Sequence, residues 1–284
     1  MKPLAIFLHI PKTAGSSLSA CFNLNFAPSQ QLYLDAGVMQ LPPHSPESAA
    51  RWDEKIIREY CEQNAKNIRY AHGHLAFYGV HHWLGEEYAP QYFTFLREPV
   101  ARVISLYRYV KGQSEHDWNR EISENNWTLE NWARQSAWLK KRDGQTRRIL
   151  LGSEDRSTHG AALHAPQLET AHLKIAKARL REFWFVGLTE TFHDDAHFLY
   201  GQFGFRHFAR DLVVNANRGN EQISSATRDL IAQQSPLDWQ LYDFARPLHS
   251  QFLKQHFRSF HAHRLRAISL RRAKQALRPL RRKP

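Results

Sequence analysis

The chain has 284 residues, of which 42% are hydrophobic and 12% aromatic, which is enough for one large α/β domain with a buried core. This composition excludes global disorder, and no apolar run approaches the length of a transmembrane helix. The formal net charge is +12, and residues 261–284 contain nine Lys or Arg and no acid. A basic tail on a more balanced body disfavours nucleic-acid binding, which needs basic surface across the fold.

The first predicted element is a buried parallel strand over residues 4–10, with the sequence Leu-Ala-Ile-Phe-Leu-His-Ile. Signal peptides also carry an early apolar run, but this one is short and leads directly into a polar turn, residues 11–17. Small residues in such a turn let several backbone N–H groups converge on one anion at the positive end of the next helix. Lys12 adds positive charge, although the spacing of the Walker A motif is absent.

The later elements alternate between helices and strands, which predicts a P-loop-type parallel β-sheet flanked by helices on both faces. We interpret residues 1–260 as a single domain with a polar, tryptophan-rich helical insertion, and residues 261–284 as a basic amphipathic tail. In chain order the predicted elements are a helix over 18–26, an exposed loop over 28–50, a helix over 52–64, strands over 68–71 and 92–96, a helix from Pro99 to about 110, a helical insertion over 112–160, a strand over 183–187, a helix from Thr189 to about 203, and helices over 224–234 and 237–258.

Arg97 directly follows the strand predicted over residues 92–96. Open α/β sheets bind ligands outside the carboxyl ends of their strands, so Arg97 is predicted to reach the same crevice as the turn around Lys12. Its planar guanidinium suits a second phosphate, and Ser105 lies on the following helix. The alternative is an arginine at a helix start, paired with Glu98.

Two blocks of this sequence resemble the nucleotide-binding signatures of sulfotransferases that use 3′-phosphoadenosine 5′-phosphosulfate (PAPS). They are His-Ile-Pro-Lys-Thr-Ala-Gly-Ser-Ser-Leu, residues 9–18, and Leu-Arg-Glu-Pro-Val-Ala-Arg-Val-Ile-Ser-Leu-Tyr, residues 96–107. The carbohydrate branch with the heparan sulfate and uronyl 2-O-sulfotransferases is the most similar, in a bacterial-type form. The resemblance implies that Arg97 and Ser105 bind the 3′-phosphate. It assigns the 5′-phosphosulfate to Lys12, Thr13, Ala14, Gly15, Ser16 and Ser17.

A third block, Tyr-Ala-His-Gly-His-Leu at residues 70–75, is similar to the His-Gly-His stretch of the 2-O-sulfotransferases. In that branch the second histidine is the catalytic base, which corresponds to His74, with His72 as its helper or as a second contact to the acceptor. An acceptor hydroxyl must lose its proton as it attacks sulfur, and a neutral imidazole suits that task. Lys12 would stabilise the charge that develops on the donor. The sequence has seventeen histidines, and three others close to these blocks are weaker candidates: His9, His81 and His82.

Weaker matches lie elsewhere in the chain. Residues 185–190 resemble the family's later strand-to-helix stretch, and the loop over 215–219 carries Arg218 where the family has a basic loop over the 3′-phosphate. Residues 144–152 are similar to a Gln-Thr-Arg stretch of bacterial relatives, which either presents Arg147 to an acidic acceptor or forms a solvated helix face. Four tryptophans of the insertion either stack on sugar rings or belong to the core: Trp118, Trp127, Trp132 and Trp138.

The resembled eukaryotic enzymes are Golgi membrane proteins with an anchor, a stem and disulfides. This chain begins at its first core strand and has two cysteines, Cys21 and Cys61, so we expect a soluble, cytoplasmic enzyme. The expected donor is PAPS, the expected partner is a hydroxyl-bearing acceptor of carbohydrate type, and no metal or nucleic acid is expected. The basic tail either lies on an anionic membrane surface as an amphipathic helix, remains solvated or partly disordered, or docks as a helix on a neighbouring subunit.

Two other functions remain open at this point. A P-loop phosphotransferase acting on a small metabolite needs Mg²⁺ and a carboxylate at the end of a second strand, where this sequence has Arg97. A non-catalytic nucleic-acid or membrane adaptor organised by the tail leaves Lys12, His74 and Arg97 unexplained.

Overall fold

Five strands pair in parallel to form the central sheet of the computed structural model. The model describes residues 1–34, 54–114, 117–135, 142–152, 167–205, 207, 222–260 and 262. The strand order is β2-β3-β1-β4-β5, which confirms the predicted α/β fold with a parallel sheet. The strands are β1 (Lys2–Leu8), β2 (Gln31–Tyr33), β3 (Tyr70–Gly73), β4 (Tyr88–Leu96) and β5 (Phe185–Leu188).

Helices cover the sheet, and none in the described part of the chain is long and apolar enough to cross a membrane. The helices that were predicted agree with the structure to within a few residues, with the exceptions given below, and the helix over residues 170–182 was not predicted. The helices are α1 (Gly15–Asn23), α2 (Glu54–Asn64), α3 (Pro99–Lys111), α4 (Asp117–Glu124), α5 (Leu129–Gln135), α6 (Gly144–Leu150), α7 (Thr170–Glu182), α8 (Phe192–Gln202), α9 (Ser225–Gln233) and α10 (Pro236–Gln255).

Strand β1 is buried on both of its faces, which explains why its sequence is apolar throughout and does not alternate. Leu4 and Ile6 face one core cluster, to which α7 and α10 contribute. Ala5 and Phe7 face a second cluster, to which α1 and α8 contribute. The helices therefore lie on both faces of the sheet, and the loops at the strand ends are left to form a site.

Two boundaries differ from the sequence-based prediction. Strand β2 lies inside the segment predicted as an exposed loop. Helix α8 begins at Phe192 and not at Thr189, because a short 3₁₀ turn comes first. Asp195 holds that turn: its carboxylate accepts hydrogen bonds from the Leu188 N–H at 3.1 Å and the Thr191 hydroxyl at 2.7 Å.

Helices α4 and α5 of the insertion pack into a third core cluster with α3. Trp132 is fully buried there, with its ring centroid 5.7 Å from that of Tyr107, so it belongs to the core and not to a sugar-stacking surface. Trp127 packs against the same cluster, and its carbonyl oxygen accepts a 2.9 Å hydrogen bond from the Tyr107 hydroxyl. Trp138 and the side chain of Trp118 lie outside the described residues.

Two further predictions concern residues that the structure does not describe. Arg218 lies outside the described residues, and so does the tail over 261–284 apart from residue 262. The division of the chain at residue 260 and the amphipathic character of the tail therefore stay predictions.

Candidate active site

The candidate site lies at the carboxyl ends of three adjacent strands, β3, β1 and β4. Leu8 of β1 pairs with Gly73 of β3, and Phe7 pairs with Phe93 of β4. The chain leaves β1 toward β2 and β3 on one side, and it leaves β4 toward β5 on the other. A crevice at such a reversal of strand order is where open α/β sheets bind their ligands. The three sequence blocks predicted to bind donor and acceptor follow these three strands.

The loop after β1 has an unusual backbone. Lys12 and Ala14 both adopt left-handed conformations, with φ of 70° and 65°, which cost about 1–2 kcal/mol each for residues with a Cβ atom. Between them the buried Thr13 donates a 2.9 Å hydrogen bond from its hydroxyl to the Ile10 carbonyl. Helix α1 begins directly afterwards, at Gly15. Strain of this kind is typical of functional loops, and here it delivers the chain to the positive end of a helix dipole.

Gly15 is required by its close approach to His9. A Cβ atom at position 15 would lie 2.0 Å from the Cδ2 atom of the His9 ring. That ring cannot move away easily, because its centroid is 5.3 Å from the Phe7 ring and 4.1 Å from the His74 ring. The glycine of the loop thus makes room for a histidine pair at the base of the crevice.

Lys12 and Arg97 are brought together, and both are partly buried. The Arg97 guanidinium donates a 3.2 Å hydrogen bond from Nη1 to the Lys12 carbonyl, and the Lys12 ammonium lies 3.8 Å from the centroid of the Tyr109 ring. Burial and then the charge of Arg97 lower the pKa of Lys12 to about 8. Burial also lowers the pKa of Arg97, although Glu190 and Glu98 act to raise it. Two cations held this close destabilise each other, and a bound anion would relieve that repulsion.

Ser105 lies on the face of α3 that is turned toward the loop. It is one helical turn before Tyr109, whose ring contacts Lys12, and residues four apart share a helix face. Ser105 is half-buried, Ser16 is exposed and Ser17 is buried. The structure therefore brings Arg97, the loop and the Ser105 face of α3 to the same side of the sheet.

His74 is fixed by backbone contacts just beyond β3. Its Nδ1 lies 3.2 Å from the His9 carbonyl oxygen, and its own carbonyl accepts a hydrogen bond from the Arg148 guanidinium. The preceding Gly73 has a φ of 127°, and a Cβ atom there would lie 1.9 Å from the Leu34 carbonyl oxygen. Only glycine permits that turn. Because a carbonyl can only accept, Nδ1 carries the proton, and Nε2 is the nitrogen with the lone pair.

His72 and His9 occupy different environments from that of His74. His72 is 3% exposed, its Nε2 lies 3.2 Å from the Gln31 side-chain oxygen, and burial followed by His74 lowers its pKa to about 3. Burial, followed by the influence of His74, also lowers the pKa of His9 well below its usual value. Both rings are therefore neutral at neutral pH. His72 is buried in β3 with its ring stacked on that of Tyr70, at 4.3 Å between centroids, and its role as a helper of His74 or as a contact to the acceptor stays a prediction.

Two of the weaker candidates, His81 and Arg147, make hydrogen bonds within the fold. His81 lies in a 3₁₀ turn, and its Nδ1 is 2.7 Å from the Tyr92 hydroxyl. Arg147 is 2% exposed, and its Nε donates a 2.6 Å hydrogen bond to the Arg142 carbonyl. The interpretation of Arg147 as part of a solvated helix face is wrong, because the first turn of α6 packs inward, and its presentation to an acceptor stays a prediction.

Sequence reasoning underrated His9 and missed Gln145 and Arg148. His9 follows β1 as His74 follows β3, so the pairing of these strands was a usable signal for the histidine pair. Gln145 and Arg148 lie on α6, far along the chain from the three blocks. The Gln-Thr-Arg match over residues 144–152 includes both, but it pointed to Arg147 as the functional residue.

Comparison with known proteins shows which family has this sequence pattern. The comparison with curated proteins finds no match. The model of the sulfotransferase family matches residues 3–255, a range that contains all three blocks and, apart from Lys2, every strand of the sheet. Because that match covers nearly the whole chain, the protein belongs to the sulfotransferase family and is an enzyme that transfers sulfuryl groups.

Proposed function

We propose that the enzyme transfers a sulfuryl group from PAPS to a hydroxyl of a carbohydrate acceptor, with His74 as the general base. The observation that carries this proposal is the convergence of three loops at adjacent strand ends. The loop after β1 carries Lys12, the loop after β4 carries Arg97 and the loop after β3 carries His74, and all three are proposed to face one crevice. These are the groups needed for the donor's two anionic ends and for the acceptor's proton.

The donor is recognised at two places in this proposal. The backbone of the loop, the N-terminus of α1 and the Lys12 ammonium bind the 5′-phosphosulfate. Arg97 and Ser105 bind the 3′-phosphate, and the left-handed conformations of Lys12 and Ala14 shape the loop for an anion. Arg218 is proposed as a further contact to the 3′-phosphate on the family resemblance alone.

His74 provides the proton acceptor for the reaction. The oxygen of the acceptor hydroxyl forms a bond to sulfur while the bond from sulfur to the bridging phosphate oxygen breaks, and 3′-phosphoadenosine 5′-phosphate leaves with the electron pair. The hydroxyl proton passes to Nε2 of His74, the ring nitrogen that can accept it in the tautomer whose Nδ1–H donates to the His9 carbonyl. Lys12 stabilises the charge that grows on the leaving phosphate.

A hydroxyl is favoured over an amine as the acceptor group. A hydroxyl becomes a strong nucleophile only as its proton is removed, which makes a positioned imidazole valuable. A neutral amine attacks with its own lone pair and needs such a base less. The carbohydrate class rests on the His-Gly-His block, which is similar to that of the 2-O-sulfotransferases.

Metal-dependent phosphoryl transfer is not favoured, for a reason that lies in the residues at the end of β4. Arg97 occupies the position where that chemistry places a carboxylate for Mg²⁺. The next carboxylate, that of Glu98, accepts a hydrogen bond from the Ala101 N–H at 2.5 Å and so caps α3. The strand end is thus built for an anion and not for a cation.

Labelled PAPS and a panel of mono- and oligosaccharide acceptors would test the proposal. We expect labelled product and release of 3′-phosphoadenosine 5′-phosphate at equal rates with Mg²⁺ and with a chelator. Mg²⁺–ATP in place of PAPS serves as the control donor. Transfer from ATP that depends on Mg²⁺, without transfer from PAPS, would contradict the proposal.

We also propose a cytoplasmic location and contact between the basic tail and an anionic membrane surface. Cys21 and Cys61 are both buried and are not joined in a disulfide, as is usual in a reducing compartment. The tail has nine positive residues and no acid. Each positive residue would contribute about 1 kcal/mol of attraction near anionic lipid. Co-sedimentation with anionic vesicles at low salt tests this contact. We expect the whole chain to pellet and a chain ending at residue 260 to stay in solution, and equal pelleting would contradict it.

A further inference from the structure

A glutamine from α6 holds the backbone of Arg97 at both of its polar groups. The Arg97 N–H donates a 2.9 Å hydrogen bond to Oε1 of Gln145. Nε2 of Gln145 in turn donates a 2.9 Å hydrogen bond to the Arg97 carbonyl. The glutamine side chain is fully buried, so water does not compete for these bonds.

Arg97 needs such a partner because the sheet ends just before it. The pairing of β4 with β5 stops at Leu96 and Leu188, and α3 begins only at Pro99. At Arg97 the backbone therefore belongs to neither element. Gln145 takes the place of a neighbouring strand, since it satisfies the donor and the acceptor of one residue as a β-ladder does.

The position of Gln145 is fixed in turn by α10. Asp238 accepts hydrogen bonds from the Gln145 N–H at 3.1 Å and from the Thr146 N–H at 2.8 Å, and thereby caps α6. Asp143 reciprocates, because its carboxylate accepts hydrogen bonds from the Leu237 and Asp238 N–H groups at 2.8 Å each. The two helix starts cap each other in the core, which leaves Gln145 little freedom.

We propose that Gln145 is a positioning residue that aims Arg97 and so sets the enzyme's preference for nucleotides with a 3′-phosphate. This inference rests on the proposed function, in which Arg97 binds that phosphate. With its backbone clamped, Arg97 directs its guanidinium across the crevice to the Lys12 carbonyl, at 3.2 Å. A cation fixed in this way needs little reorganisation to bind an anion.

The affinities of 3′-phosphoadenosine 5′-phosphate and of AMP, measured by calorimetry, test the proposal. In the wild type the 3′-phosphate should improve affinity about ten- to a hundredfold. Gln145→Met keeps the length of the side chain and removes both hydrogen bonds. It should reduce this preference about tenfold while the affinity for AMP stays the same. Thr146→Val, which removes a 2.9 Å hydrogen bond between the Thr146 hydroxyl and Asp238, is the matched control and should keep the preference.

A double variant separates positioning from a general structural effect. If Gln145 acts through Arg97, then Gln145→Met causes no further loss of the preference in an Arg97→Ala background. If Gln145→Met fails to fold, Gln145→Glu replaces it, because the glutamate keeps the acceptor for the Arg97 N–H and loses the donor. A preference that survives in the Gln145 variants overturns this inference alone. A wild type that binds the two nucleotides equally overturns the proposed 3′-phosphate site, and the inference with it.

Discussion

Raising the pH above 8 should weaken nucleotide binding, because the loop lysine then loses its charge. Burial and the nearby Arg97 lower the pKa of Lys12 to about 8, well below the ordinary lysine value of about 10.4. An anionic ligand binds the charged form, so its affinity falls as pH rises through that pKa. The phosphates of the ligand are largely ionised above pH 7, with a second pKa near 6, and Arg97 stays charged throughout.

The size of this effect follows from the pKa of about 8. If the bound complex keeps Lys12 protonated, the affinity for 3′-phosphoadenosine 5′-phosphate should fall about eightfold between pH 7.5 and pH 9. Calorimetry at constant ionic strength measures it. The control is Lys12→Met, which should bind more weakly at pH 7.5 and show no such decline. A flat wild-type profile, or an equal decline in Lys12→Met, would refute the role given to this charge.

Three further predictions concern the histidines and the loop glycine. His74→Ala should lower turnover by roughly 10²–10⁴-fold with little change in nucleotide affinity; full turnover on the true acceptor would remove His74 as the base. Gly15→Ala places a methyl group 2.0 Å from the His9 ring and should cost about 1–3 kcal/mol of stability by overpacking. Thermal melts should show no such loss for the exposed neighbour Ser16→Ala. His72 binds its proton only below a pKa of about 3 when folded but near 6.5 when unfolded, so stability falls as pH drops below 6.5. Between pH 7 and 5 urea unfolding should show a loss about 2 kcal/mol larger in the wild type than in His72→Gln, and equal losses would contradict the burial of a neutral ring.

Much of the fold was predictable because its signals are local. The apolar run of β1 is continuous since both of its faces are buried. Pro99 marks the start of α3, where a missing N–H has no cost. Alternation of strands and helices was enough to predict a parallel sheet, and with it the edge at which the loops after β1 and β4 meet.

Strand β2 was not predictable in the same way. Its three residues lie within a segment rich in turn-forming residues, and they form a strand because β3 provides a hydrogen-bonding partner. The start of α8 also depends on a distant contact, since the Asp195 that holds the preceding turn is itself held by His249, at 2.9 Å. Secondary-structure propensity over a short stretch of sequence includes neither β3 nor His249, because both lie elsewhere in the chain.

The sequence by itself determined the fold class, the polar turn with its lysine after β1 and the residue types at three strand ends. Only the tertiary structure decided how those residues act on one another. It paired His9 with His74, placed the Lys12 ammonium against Tyr109, buried His72 and Arg147, and connected Gln145 to Arg97 across 48 positions of the chain. Such contacts are satisfied hydrogen bonds and packed rings between distant segments. Their partners are set by how the helices close over the sheet, and spacing along the chain does not encode them.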